Sequence, residues 1–151
     1  MNPYLVAGGV ALAVALVGGL ATDVGTWYRE LKKPSWNPPD WLFGPAWTLI
    51  YALTAWSAAR AWLNAPEADR LLLVLAPFAA NAGLNAAWSV LFFTVKRPDW
   101  ALIEVGALWL SIVALIVIVL PIDRQSALLL VPYLVWVSFA ATLNAKIVAL
   151  N

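Results

Sequence analysis

The sequence predicts an all-α integral membrane protein, a bundle of five transmembrane helices, and three observations predict it. Hydrophobic residues make up 64% of the chain and charged ones only 11%, whereas soluble domains hold about 45–50% and about 25%. Mean hydropathy is +0.83. Five stretches, at about 3–22, 42–63, 71–95, 99–121 and 125–149, reach the roughly 20 apolar residues that a helix needs to cross the hydrocarbon core. Residues 1–151 read as a single transmembrane domain.

The first stretch has neither the basic start of a signal peptide nor a cleavage site before Asp23, so it is expected to be retained as a helix. Ala7, Ala11, Ala15 and Gly19 form a stripe of small residues along it, suited to internal packing or to dimerisation. The second stretch comes after the one long break, about 23–41. That break contains "WYRELKKPSWNPPDW" at 27–41, with three Trp, three Pro and three basic residues. The other breaks are short: "NAPEADR" at 64–70, "KRPD" at 96–99 and "PIDR" at 121–124.

On the third stretch Asn81, Asn85 and Trp88 are spaced i, i+4, i+7 and share one helical arc, with Ala79, Gly83 and Ala87 on the opposite arc. An Asn amide facing lipid leaves donors and acceptors unsatisfied, so the Asn/Trp arc is expected to face the bundle. The small arc is then open to close approach by another helix, including one from a second protomer. The fourth stretch begins with Trp100 at the rim and Glu104 one turn deeper. That carboxylate either serves function, snorkels to the surface, or pairs with Lys96 or Arg97. Further along, Trp109 stands without polar company. The fifth stretch places Trp136 near mid-membrane and Asn144 near the surface.

Several function classes are excluded. No Cys and no His are present, and Met1 is the only Met, so thiolate chemistry, Cys-ligated zinc and the usual axial haem ligands are absent. No metal site is expected. A net charge of +1 gives no footprint for nucleic acid. The odd helix count without visible self-similarity argues against an inverted-repeat transporter.

Lys and Arg counts set the expected orientation. Arg29, Lys32, Lys33, Lys96, Arg97 and Lys146 fall on one side, against Arg60, Arg70 and Arg124 on the other. The positive-inside rule places the first loop and the C-terminus in the cytoplasm and the N-terminus outside. At about 1.5 Å per residue, Trp47, Tyr51, Asn85, Trp88, Trp100, Trp136 and Asn144 then occupy the half of the bilayer beneath the first loop. This is a candidate pocket. For each residue a structural alternative stands beside it: Trp41, Trp62 and Trp100 fit an interfacial belt, and Asn81 and Asn85 fit helix–helix glue.

The motifs "WYRELKKPSWNPPDWLFGPAWTLIY", "LNAAWSVLFF", "KRPDWAL" and "VPYLVWVSFAATLN", in this order and over nearly the whole chain, resemble the translocator protein family. Its members are also called tryptophan-rich sensory proteins or peripheral-type benzodiazepine receptors. The resemblance implies a five-helix bundle, usually a homodimer, with a cavity under the first loop. It also implies binding of porphyrin or haem, cholesterol, and synthetic isoquinoline and benzodiazepine ligands. Carried over by position, the cavity residues are Trp47, Asn85, Trp88, Trp100 and Trp136, with Tyr28 closing from the loop. The break then reads as a lid, stiffened by Pro34, Pro38 and Pro39, with Trp27, Tyr28 and Trp36 facing down. The cholesterol-recognition pattern of the animal members is missing from the last helix, which ends "ATLNAKIVALN". That leaves sterol binding doubtful. A formal match at Val24, Tyr28 and Lys32 is of a weak, degenerate kind.

The favoured function is therefore a membrane receptor or sensor holding a tetrapyrrole in a Trp-lined cavity, its propionates meeting Arg29, Lys32 or Lys33. An alternative, implied by bacterial relatives, is light-dependent degradation of protoporphyrin IX with Trp47 and Trp136 as catalytic residues. The third reading is a small tetrapyrrole or lipid transporter. Porphyrin or haem enters as ligand, with no required cofactor, and the homodimer is expected through the two small-residue faces.

Overall fold

The computed structural model describes residues 2–22 and 25–151, and every regular element in them is helical. In chain order these are α1 (Pro3–Ala21), α2 (Thr26–Glu30), α3 (Asp40–Asn64), a 3-10 turn (Glu67–Asp69), α4 (Ala76–Ser89), α5 (Pro98–Val119), α6 (Arg124–Leu129) and α7 (Val131–Leu150). Pro3–Ala21, Leu71–Thr94, Pro98–Val119 and Arg124–Leu150 are long and apolar enough to cross a membrane. The fold is thus all-helical and multi-pass. α3 has the length, 25 residues, but Gly44, Pro45, Thr48, Tyr51, Thr54 and Ser57 dilute the apolar run in its interior.

Helix starts follow local chemistry. The Asn2 side chain accepts from the Tyr4 amide with Pro3 in the first turn, and Asp123 does the same for α6 through the Ser126 amide. α5 opens at Pro98 after Lys96, whose φ of 60° turns the chain sharply. There Arg97 pairs with Asp99 at 2.7 Å and lies over the Trp100 ring.

The structure adds detail at three places. The stretch predicted at 125–149 is broken at Leu130 into α6 and α7, because Pro132 donates no amide hydrogen and its ring crowds the carbonyl four residues back. The helix at 71–95 has π turns at both ends, Leu71–Leu75 and Val90–Thr94, each adding a residue to one turn and re-phasing the side chains beyond it. The long break contains the short helix α2. Asp23 and Val24, the start of that break and of the Val24–Tyr28–Lys32 pattern, lie outside the described residues.

The core is built on α5. Leu108, Ile112, Leu115 and Val119, at helical spacing, are buried in one core with Tyr133, Val137, Leu143 and Ile147 of α7, while Ile103, Leu110 and Val117 face outward. At one end of the bundle, Asn151 Nδ2 donates to the Lys32 carbonyl and Lys32 N donates to Asn151 Oδ1, so the first connection and the end of α7 share a face. There α1 also meets α4 most closely. A Cβ on Gly18 would lie 3.4 Å from the Tyr51 hydroxyl and 3.7 Å from Ser89 Oγ, and Thr94 Oγ1 donates to the Ala21 carbonyl.

The opposite end is tied by Arg60 and Asp123, joined at 2.8 Å. Ser57 and Ser126 exchange hydroxyl–carbonyl hydrogen bonds beside them. The Arg60 guanidinium, helped by Ser126, holds the Asp123 carboxyl below the usual carboxylate range. A depressed carboxyl pKa contributes stability that is present above the unfolded value, about 3.9, and lost as pH falls through the folded value. Melting followed by Trp fluorescence in detergent should therefore weaken as pH drops below about 4. Asp123→Asn should flatten that acid-induced fall and lower the melting temperature at neutral pH; an unchanged acid profile would contradict the assignment.

Candidate functional site

Two side-chain systems meet in the middle of the bundle. One is a hydrogen-bonded chain across four helices. Tyr51 Oη donates to Asn85 Oδ1 at 3.0 Å, Asn85 Nδ2 to Tyr133 Oη at 2.7 Å, and Tyr133 Oη to Asn81 Oδ1 at 3.2 Å. Asn81 Nδ2 then donates to Ser111 Oγ at 2.9 Å, and Ser111 to the Leu108 carbonyl at 2.6 Å. Each donor is used in one direction, so α3, α4, α5 and α7 are fixed in register by polar groups that lipid could not satisfy.

The other is an aromatic cluster between this chain and the 25–39 connection. Trp47 stacks on Tyr51 at 5.5 Å and 24°, meets Trp136 edge-on at 6.1 Å, and lies 6.3 Å from Trp88. Phe92 and Phe93 flank Trp88, and Phe43 meets Trp136 edge-on. Tyr28, only 3% exposed, closes the cluster from α2 against Phe93. Lys33 Nζ sits 4.4 Å over the Tyr28 ring and donates to the Tyr28 and Leu31 carbonyls. Burial pushes the Tyr28 hydroxyl pKa up, which keeps it a neutral donor. The free space these rings enclose is ≈ 20 Å³, about one water. The pocket is closed on itself.

Two indoles in it differ in one respect. Trp88 Nε1 donates to Asn144 Oδ1 at 3.1 Å, and Asn144 Nδ2 donates to the Pro98 carbonyl. Trp136 Nε1 is buried and has no hydrogen-bond partner among the described residues. A buried N–H left unpaired is costly, so an acceptor arriving in the pocket gains from meeting it.

Of the residues singled out from sequence, Tyr28, Trp47, Tyr51, Asn85, Trp88 and Trp136 come together. Trp27 lies at the edge, against Phe92. Trp36 is 45% exposed and packs on Phe139. Trp100 is 48% exposed, under Arg97 rather than in the pocket: depth and the family resemblance both placed it there, and its phase on α5 turns it outward. Trp109 is not without polar company, since its Nε1 donates to Ser138 Oγ at 2.8 Å. Arg97 is committed to Asp99, and neither Glu104 oxygen has a hydrogen-bond partner among the described residues. Asn144, expected in the same half of the bilayer, joins the cluster through Trp88, whereas Phe43, Phe92, Phe93 and Tyr133 were missed. Phe43 precedes Trp47 by four residues and Tyr133 precedes Trp136 by three, so helical phase could have found both.

Residues 7–150 match the model of the TspO/MBR family. The chain is 42% identical to a tryptophan-rich protein TspO of Archaeoglobus fulgidus, over 93% of this chain and 91% of that one. It is 40% identical to Protein CrtK of Rhodobacter capsulatus, over 94% and 89% of the two chains. The translocator protein of Sus scrofa is 34% identical over 94% and 88%.

The polar chain generates a stability test. Tyr133→Phe removes one hydroxyl and orphans both Asn81 Oδ1 and Asn85 Nδ2, at about 1–3 kcal/mol for each buried group. The melting temperature in detergent should fall clearly, while Tyr4→Phe, on the exposed end of α1, should leave it unchanged. Equal melting of both variants would show that the chain carries no stability.

Proposed function

This chain belongs to the TspO/MBR family, and on that premise we propose that it is a membrane receptor for flat tetrapyrroles of the porphyrin or haem type. The site is the aromatic cluster of Trp47, Trp88 and Trp136 beneath Tyr28, and synthetic isoquinoline and benzodiazepine ligands are proposed for the same place. The observation that carries the reading is the buried, unpartnered Trp136 Nε1 among rings at stacking distance. It is a preformed donor surrounded by flat apolar faces, the combination that orients a ligand in an apolar pocket.

The closed state adds a requirement. A space of ≈ 20 Å³ admits no tetrapyrrole, so the rings must part and the 25–39 connection must act as a lid that lifts. Arg29 and Lys32 are the rim cations proposed for the propionates, because Lys33 is held by the Tyr28 and Leu31 carbonyls. The proposal includes five membrane crossings with α3 as the second, the first connection and C-terminus cytoplasmic, and a homodimer. Gly83, with open space around its Cα, is the dimer contact to test. Sterol is not proposed as a ligand.

A second reading, oxidative photodegradation of bound porphyrin, draws on the edge contact between Trp47 and Trp136 at 6.1 Å, which pairs two oxidisable rings beside the ligand. Trp136→Phe distinguishes the two. It removes an unpaired donor, so folded stability should hold. Dark affinity for protoporphyrin IX should fall on the order of 2- to 10-fold, the worth of one net hydrogen bond. If indole takes part in chemistry, decay of the porphyrin in light should also stop in Trp47→Phe and Trp136→Phe but continue in Trp56→Phe, an exposed control. Unchanged dark affinity in Trp136→Phe would refute the receptor reading, and equal decay in all variants would refute the enzymatic one.

Haem gives an independent check. With no His or Cys in the chain, ferric haem bound to the purified protein should show no low-spin bis-nitrogen spectrum, and metal-free porphyrin should bind comparably. Tyr28, which closes the cluster, is the ligand proposed for that case, and its loss should abolish any high-spin phenolate band.

A further inference from the structure

A second cavity lies on the other side of the hydrogen-bonded chain, with a volume of ≈ 370 Å³, inside the roughly 300–1,000 Å³ range of small-molecule sites. It is bounded by Val6 and Val10 of α1, Ala55 and Ala58 of α3, and Val74 and Phe78 at the start of the α4 span. No charged side chain lines it. Its inner end is Tyr51, Asn81, Asn85 and Tyr133, whose hydroxyls and amides are engaged with one another. That end therefore asks nothing polar of an occupant.

The polar demand sits at the outer end. Trp62 lines the cavity, and the Arg70 guanidinium lies over its ring at 5.5 Å. Arg70 Nε is buried and has no hydrogen-bond partner among the described residues. Of the other two cations of this end, Arg60 of α3 is committed to Asp123, and Arg124 stands at the start of α6 and does not line the cavity. Val6, Val10 and Leu75 line the cavity and are also exposed, so it opens sideways between α1 and α4. These helices are pinned together near Gly18 and Ser89, at the far end.

We propose that this cavity takes one acyl chain of an anionic phospholipid from the surrounding bilayer, with Arg70 holding the phosphate. An apolar slot, blind at one end and with the under-bonded Arg70 guanidinium behind its Trp62 wall at the other, matches a chain with an anionic head. A helix of a second copy would cover the opening but fill neither the slot nor the demand of Arg70. Flat tetrapyrroles are not matched, because the walls are mostly Ala and Val. The two sites share only the septum residues Tyr51, Asn85 and Tyr133, and the lipid proposal uses none of the Trp47, Trp88 and Trp136 rings of the receptor reading.

The test is native mass spectrometry of the full chain released from micelles containing equal phosphatidylglycerol and phosphatidylcholine with identical acyl chains. Wild type should retain one phosphatidylglycerol per protomer in preference to phosphatidylcholine, by about fivefold, the effect of one Arg near an anionic lipid. Arg70→Gln should erase the preference. Ala58→Phe and, separately, Ala11→Phe on the looser α1 should fill the slot and lose the bound lipid, with helicity and protoporphyrin IX binding retained. Undiminished phosphatidylglycerol in both filled variants, or no headgroup preference in wild type, would overturn the proposal. A lipid-free wild-type dimer that Ala11→Phe dissociates would give the face to a second copy and overturn it equally.

Discussion

Everything in this bundle depends on how buried polar groups are satisfied where no water reaches. The chain from Tyr51 through Asn85, Tyr133 and Asn81 to Ser111 joins four helices. A one-residue shift of any of those helices would orphan several groups at once, each at about 1–3 kcal/mol. Apolar packing of α5 against α7 tolerates small slips far better, since Leu, Ile and Val contacts are not directional. The hydrophobic core thus supplies contact, and the polar chain supplies register. It also acts as a septum, with the Trp cluster on one side and the Ala- and Val-lined cavity on the other.

The two spaces separated by that septum have opposite character. On the Trp side, large rings collapse onto each other and leave room for about one water. Flat rings gain as much from one another as from a ligand, so an empty aromatic site closes. On the other side, small side chains on α1, α3 and α4 cannot reach across the gap. Open space there reflects the lack of side-chain volume.

Much of this is written in the sequence, though unevenly. Hydropathy was enough to find the apolar spans, and Trp47, Asn85, Trp88 and Trp136 could be brought to one depth from helical rise and phase. Their role as ligand contacts rests on the proposal. Trp100 shows where depth without phase fails, because its ring turns outward under Arg97. The break at Leu130 was legible in Pro132, whereas the π turns were not, since no residue type demands them. The second cavity was invisible. Ala7, Ala11 and Ala79 read as surfaces for close helix contact, and within this chain they line a gap, because small residues allow approach without enforcing it.

Gly18 has a mechanical consequence. α1 settles on Tyr51 and Ser89 where Gly18 has no side chain, with Thr94 bonded to Ala21 nearby. From Gly18 to Pro3 the helix extends for roughly 22 Å at its standard rise. It is a lever with its fulcrum at one end. A tilt of about 10° at Gly18 swings the Pro3 end by roughly 4 Å at that length, widening or narrowing the lateral opening without breaking a hydrogen bond inside the helix. A side chain longer than a methyl group at position 18 would press on the Tyr51 hydroxyl, which already lies 3.4 Å from where a Cβ would stand, and would carry the disturbance into the septum.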